Sequence, residues 1–134
     1  MLLGFQKRFE PYVMDGSKTH TIRATRKRGV RVGEICHCYG DTRQKTMHLL
    51  GRWPCVKVEY IEIHPPGCAG WTSSKVFIEG QILSMDECEA LAWRDGFRNE
   101  GFWEMMHFWC GRLPFRGQVI HWDYRRPVPD RVSP

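Results

Sequence analysis

The sequence predicts an α+β fold, a small bent or open β-barrel with short helices on its flank, and three observations predict it. Segments of strand character stand before and after two late helices, without regular β–α–β alternation. The strongest strand pattern, Cys55-Val56-Lys57-Val58-Glu59-Tyr60-Ile61-Glu62-Ile63, carries apolar residues at Val56 and Val58 and then changes phase to Ile61 and Ile63. That slip predicts a bulge, a common device for bending a strand around a barrel. Finally, 134 residues suit one domain with one core. Residues 1–126 are read as that domain, and the tail Pro127–Pro134 as a disordered end.

The elements follow in chain order. Pro11 suits a first helical turn and Gly16 a left-handed C-cap, so a short helix is expected from Pro11 to Asp15. Lys18-Thr19-His20-Thr21-Ile22-Arg23 reads as a β-branched strand, and Gly33 as a turn opening a strand through Ile35–Tyr39. Lys75–Ile82 reads as a short strand pair or bent strand. Ser84 with Glu87 three residues on is a capping box, and the helix it opens runs to about Asp95 before Gly96. Its apolar face is Met85, Cys88, Leu91 and Ala92, with Asp95 next on that face. A second helix over Asn99–Cys110 buries Phe102, Met105, Met106 and Trp109, and the closing strand alternates Ile120, Trp122 and Tyr124. Trp103, Trp109 and Trp122 are read as core.

Composition bounds the function. There are 20 Lys+Arg against 15 Asp+Glu, a formal net charge of +5. Between Gly16 and Gly33 there is no acidic residue, but Lys18, Arg23, Arg26, Lys27, Arg28 and Arg31 all fall there. Such a block is either a solvated loop or a patch that contacts phosphate. Trp71, in a loop without periodic context, is the candidate for stacking on a base, or else a loop anchor. No apolar run approaches a membrane span, so no membrane association is expected and the protein is placed in the cytoplasm. Its six cysteines are then expected free. Cys36-His37-Cys38 lacks the CxxC spacing of zinc sites and suits two small core residues on one strand face, so no metal and no cofactor are expected. The six histidines fall in no ligand pattern.

Asp95 is the informative carboxylate. The last turn of a helix is the negative end of its dipole, and a carboxylate there on an apolar face calls for a nearby cation, Lys18 or Arg23, or local backbone amides. Threonine is a weak nucleophile, and a buried lysine of lowered pKa can serve as its base. Lys18 and Thr21 differ by three positions, so in a flat strand they would point to opposite faces. Convergence therefore requires Lys18 to lie in the turn after Gly16.

Gly16-x-Lys18-Thr19-x-Thr21-Ile22-Arg23, then Val32-Gly33-Glu34, then Ala90-Leu91-Ala92-Trp93-Arg94-Asp95-Gly96-Phe97 together resemble the ASCH domain family of PUA-like β-barrels, from about Phe5 to Tyr124. The resemblance implies a cleft facing RNA or a modified nucleoside. Some members hydrolyse the acetyl amide of N4-acetylcytidine with a lysine, a threonine and a glutamate, and others bind or cleave RNA. Lys18 and Thr21 match the first two, and Asp95, one methylene shorter, takes the place of the glutamate. Two functions are expected from this. One is an RNA-binding module, with Lys18, Arg23, Arg26, Lys27 and Arg28 on phosphate and Trp71 on a base. The other is a metal-independent amidohydrolase, or an RNA-cleaving variant, reacting through Lys18, Thr21 and Asp95.

Overall fold

A computed structural model describes residues 1–25, 28–65 and 75–129. Strand β1 (Leu2–Phe5) leads through a 3-10 turn (Lys7–Phe9) into α1 (Glu10–Asp15). Strands β2 (His20–Ala24), β3 (Ile35–Gly40), β4 (His48–His64), β5 (Lys75–Ile78) and β6 (Gln81–Ile82) follow. Helices α2 (Met85–Asp95) and α3 (Phe102–Trp109) precede the last strand, β7 (Phe115–Trp122). The fold is α+β, and its strands form one seven-stranded sheet.

The 17-residue β4 organises that sheet. Its first part pairs antiparallel with β3, which in turn pairs parallel with β1. From Cys55 it pairs with β7, and at its far end with β5. The register slips between Cys55 and Lys57, which makes Val56 the extra residue. The expected bulge therefore exists but lies upstream of the expected place, and Val56 is exposed. The slip moves the buried set of β4 across the sheet. Cys55 and Val58 stand opposite Trp122 and Ile120, whereas Ile61 and Ile63 stand opposite Gly117 and Phe115. β7 accordingly buries side chains on both faces, with Ile120 and Trp122 on one and Val119 on the other.

The sheet is open rather than a closed barrel. Among the described residues β1 pairs only with β3, and β2 only with β7. What spans the interval between them is a side chain, the Arg23 guanidinium donating to the carbonyl of Gly4.

The helices are placed by their caps. Ser84 accepts from the Glu87 amide at 3.1 Å while the Glu87 carboxylate accepts from the Ser84 amide at 2.9 Å, the expected capping box. α2 ends at Gly96 (φ 110°), directly after the buried Asp95. α3 begins three residues later than expected because Gly101 (φ 59°, ψ −128°) is not helical. Phe102, Met105, Met106 and Trp109 are buried as expected, and α3 adds Phe108 to an aromatic cluster, edge-to-face with Phe9 and tilted against Phe97, ring centroids 5.4–6.0 Å apart.

Two expected core residues are not core. Trp103 is 43% exposed because it lies one position, about 100°, away from the buried stripe of α3. Met85 is 46% exposed, since the first residue of α2 overhangs the surface that its helix covers. Cys36 and Cys38 are both fully buried on one face of β3. At the start of the tail the Val128 amide donates to Arg52 O at 2.8 Å, and residues 130–134 lie outside the described residues. No helix among the described residues is long and apolar enough to cross a membrane.

Candidate functional site

Lys18 is delivered by a turn, not by a strand. α1 closes on Gly16 in the left-handed conformation (φ 83°), which a residue with a Cβ rarely adopts, and a Cβ there would strike the ring of Tyr124. The chain then reverses, the Lys18 amide bonds Tyr12 O at 2.9 Å, and β2 starts only at His20. This removes the parity conflict between Lys18 and Thr21, and the two reach one cavity.

That cavity, of about 440 Å³, lies between β1, β2 and the helices. Consecutive residues Thr21, Ile22, Arg23 and Ala24 line it, as expected of a strand edge that carries no partner on that side. Gly4 and Phe5 form a second wall, and Phe97, Phe108, Trp109 and Arg112 a third. The walls are mostly apolar with a few convergent polar groups, the usual character of a small-molecule site.

The polar groups converge at Asp95. Lys18 Nζ donates to Asp95 Oδ1 at 2.7 Å and to the Asp95 carbonyl oxygen at 2.6 Å, and both side chains are almost wholly buried. One ammonium therefore answers two negative groups at the C-terminal end of α2, the carboxylate and an end carbonyl of the helix dipole. Nζ also stands 5.1 Å from the ring centroid of Phe9. Of the two cations expected near Asp95, Lys18 is the partner, whereas Arg23 is turned to Thr21, its Nε donating to Thr21 Oγ1 at 3.0 Å.

A third group was not anticipated from the sequence. His20, 2% exposed, places Nε2 3.1 Å from the same Asp95 Oδ1, at ionic contact distance but without the alignment of a hydrogen bond. Behind it the ring of His121 lies 5.4 Å away between centroids, and His121 Nε2 is 2.7 Å from Glu59 Oε1. The sequence held one signal for this. His20 stands two positions from Ile22, so on a strand the two share a face, and in the structure that face is buried, with His20 opposite His121 on β7.

Burial lowers the pKa of Lys18, with the Asp95 charge acting against it. Burial pushes the Asp95 carboxyl up, but Lys18 and His20 outweigh it and hold Asp95 below the usual range, so it is ionised. His20 is held below the ordinary imidazole value by burial, with Asp95 opposing. Cys36 and Cys38 are pushed up to about 12 by burial, so neither supplies a thiolate.

The sign of the pH dependence follows. Asp95, His20 and His121, the last also lowered by burial, each bind protons less readily folded than unfolded. The unfolded chain gains protons first on acidification, so the contribution of these three groups is intact above the unfolded histidine value, about 6.5, and falls as pH drops through the folded values. Urea unfolding at successive pH values should show a midpoint that declines from about pH 6.5 downward. A midpoint flat to pH 5 would contradict the buried neutral His20.

Four expected site residues, Lys18, Thr21, Arg23 and Asp95, thus share one cavity. Arg28 does not join them. It is exposed and paired to Glu34 at 2.8 Å. Arg26, Lys27 and Trp71 lie outside the described residues. The aromatic lining comes instead from Phe5, Phe9, Phe97, Phe108, Trp109 and Phe115, which sequence reasoning did not assign to a site. Among the described residues no cluster of three or more His, Cys, Asp or Glu could hold a metal. No known protein family, curated protein or solved structure matches the chain.

Proposed function

We propose that the protein is an ASCH-like domain, its open sheet a PUA-like barrel with the β1–β2 interval as the mouth, which takes a modified nucleobase into the cavity and hydrolyses its exocyclic amide, as in N4-acetylcytidine. The observation that carries this reading is that Lys18 and Thr21, from one short segment, and Asp95, remote from both in sequence, line one aromatic-walled cavity. The base stacks between aromatic walls and presents its acetyl group to Thr21. Lys18 in its neutral form, which burial favours by lowering its pKa and which has released its ammonium proton to solvent, takes the Thr21 hydroxyl proton as Oγ1 attacks the acetyl carbon. The carbon–N4 bond breaks, and the departing amine receives that proton from Lys18. Water then attacks the acetyl-threonine ester, Lys18 takes its proton, and acetate leaves as the proton returns to Oγ1. Arg23 Nε, already donating to Oγ1, stabilises negative charge on that oxygen, and Asp95 orients the lysine.

A mass-spectrometric assay on N4-acetylcytidine tests this, with Thr21→Val as the control that leaves the Lys18–Asp95 pair in place. Turnover in the wild type should fall by at least about 10²-fold in the variant. Equal rates in the two would remove Thr21 from the chemistry.

A second reading, an RNA-binding module without turnover, is favoured by one observation. Lys18 Nζ is bonded to Asp95, not to Thr21. In that case the ion pair is the cavity floor and Arg23 and Arg112 line the path of an RNA strand. RNA affinity falling steeply with salt, without any deacetylation, would decide for it.

A further inference from the structure

His20 is the one buried titratable group at the site to which neither reading gives a role. It shares Asp95 Oδ1 with Lys18, at 3.1 Å against 2.7 Å, yet its Nε2 has no aligned partner. A buried histidine at contact distance from a carboxylate that another cation already holds is a reserve partner. We propose that His20 is a positioning residue that takes over the Asp95 carboxylate whenever Lys18 gives up its proton or turns away, so that the buried anion always keeps one partner. This rests on the hydrolytic reading for its use in a reaction cycle, but the exchange itself is a property of the resting site.

The requirement is general. A lysine acting as a base must spend part of the cycle neutral, and Asp95, almost wholly buried, would then face no positive charge from Lys18. An unpaired buried carboxylate is strongly disfavoured. Without a second partner Asp95 would hold Lys18 protonated and suppress its basicity. His20 relieves this by turning its Nε2–H into line or by becoming imidazolium.

The charged groups facing His20 fit such a role. Lys18 precedes it on the chain, and Asp95 and the guanidinium of Arg94 approach from α2. His121 stands beside it on β7, backed by Glu59 and Lys57 of β4. Lys18 and Arg94 oppose a proton on His20 while Asp95 favours it. Removing the Lys18 charge takes away one opposing group and leaves the favouring one, so the balance turns towards imidazolium. His121 with Glu59, both partly exposed, is the adjoining pair through which that proton can be exchanged.

The test is an NMR titration that reads the His20 ring C–H shifts in wild type and Lys18→Met. In the wild type His20 should stay neutral below the range of ordinary histidines. In Lys18→Met its midpoint should rise by at least about one pH unit, a tenfold gain in proton affinity. An unmoved midpoint overturns the proposal. If Lys18→Met does not fold, the Asp95 carboxyl carbon shift decides in the wild-type background. Its midpoint should rise in His20→Phe and return towards wild type in His20→Asn, which keeps a donor. Identical midpoints in all three would overturn the proposal. These readouts do not need turnover, so a wild type inactive on N4-acetylcytidine sinks the hydrolytic reading alone.

Discussion

Replacing Lys18 by methionine should destabilise the protein by roughly 3–5 kcal/mol near pH 8, the cost of leaving one member of a buried ion pair without the other. The pair is well suited to the experiment, since Lys18 Nζ to Asp95 Oδ1 is 2.7 Å and both side chains are almost wholly buried. Most of that loss should return in the double variant Lys18→Met/Asp95→Leu, because two apolar groups of similar volume bury with no charge to desolvate. Denaturant unfolding of the two single variants and the double variant measures this as a cycle. A double variant no more stable than Lys18→Met would show that the pair does not couple. The penalty in Lys18→Met should also shrink as pH falls, because His20 then binds a proton from solvent and restores a positive charge beside the ionised Asp95.

Gly117→Ala should destabilise by about 1–3 kcal/mol, the usual cost of overpacking, and should abolish binding in the cavity. Gly117 stands opposite Ala24 on β2, and an added Cβ would collide with the main-chain carbonyl oxygen of Arg23 as well as approach the ring of Phe115 at 2.7 Å. A backbone oxygen inside a strand ladder has no rotamer to escape into, so β2 itself must move away from β7. Thr21 and Arg23 move with it. The expected result is a lower denaturation midpoint together with loss of nucleoside binding in calorimetry. Lost stability with binding intact would mean that the cavity tolerates a shift of β2.

The parts legible in the sequence were those fixed by local rules. The capping box of α2 is an arrangement of neighbours, and both of its bonds form. The turn at Gly16 and the face shared by Leu91, Ala92 and Asp95 follow from glycine conformation and helical period, and together they anticipated that Lys18 leaves the strand and that Asp95 seeks a cation. What escaped is non-local. β1 is four residues long and earns its place through a parallel pairing with β3, which no pattern inside Leu2–Phe5 announces. The first part of β4 contains Gly51 and Pro54, residues that ordinarily argue against a strand. His20 occupies the variable position of the motif, and its significance comes from Asp95 and His121, both remote in sequence. The aromatic walls read as core because at the level of spacing a core and a cavity lining are alike.

Among the described residues β7 is the only strand partner of β2, and it is the last element of the sheet to leave the ribosome. Lys18 and Asp95 are 77 residues apart, and even after α2 has emerged no strand pairing fixes β2 against the rest of the sheet. During synthesis the nascent chain thus holds an unmatched basic strand edge until its final segment arrives. Such long-range closure is slow, and incomplete chains expose unpaired edges that aggregate. Translation stalled before Phe115 should therefore leave chains that chaperones recognise, whereas release past Trp122 completes the sheet and the site in one event.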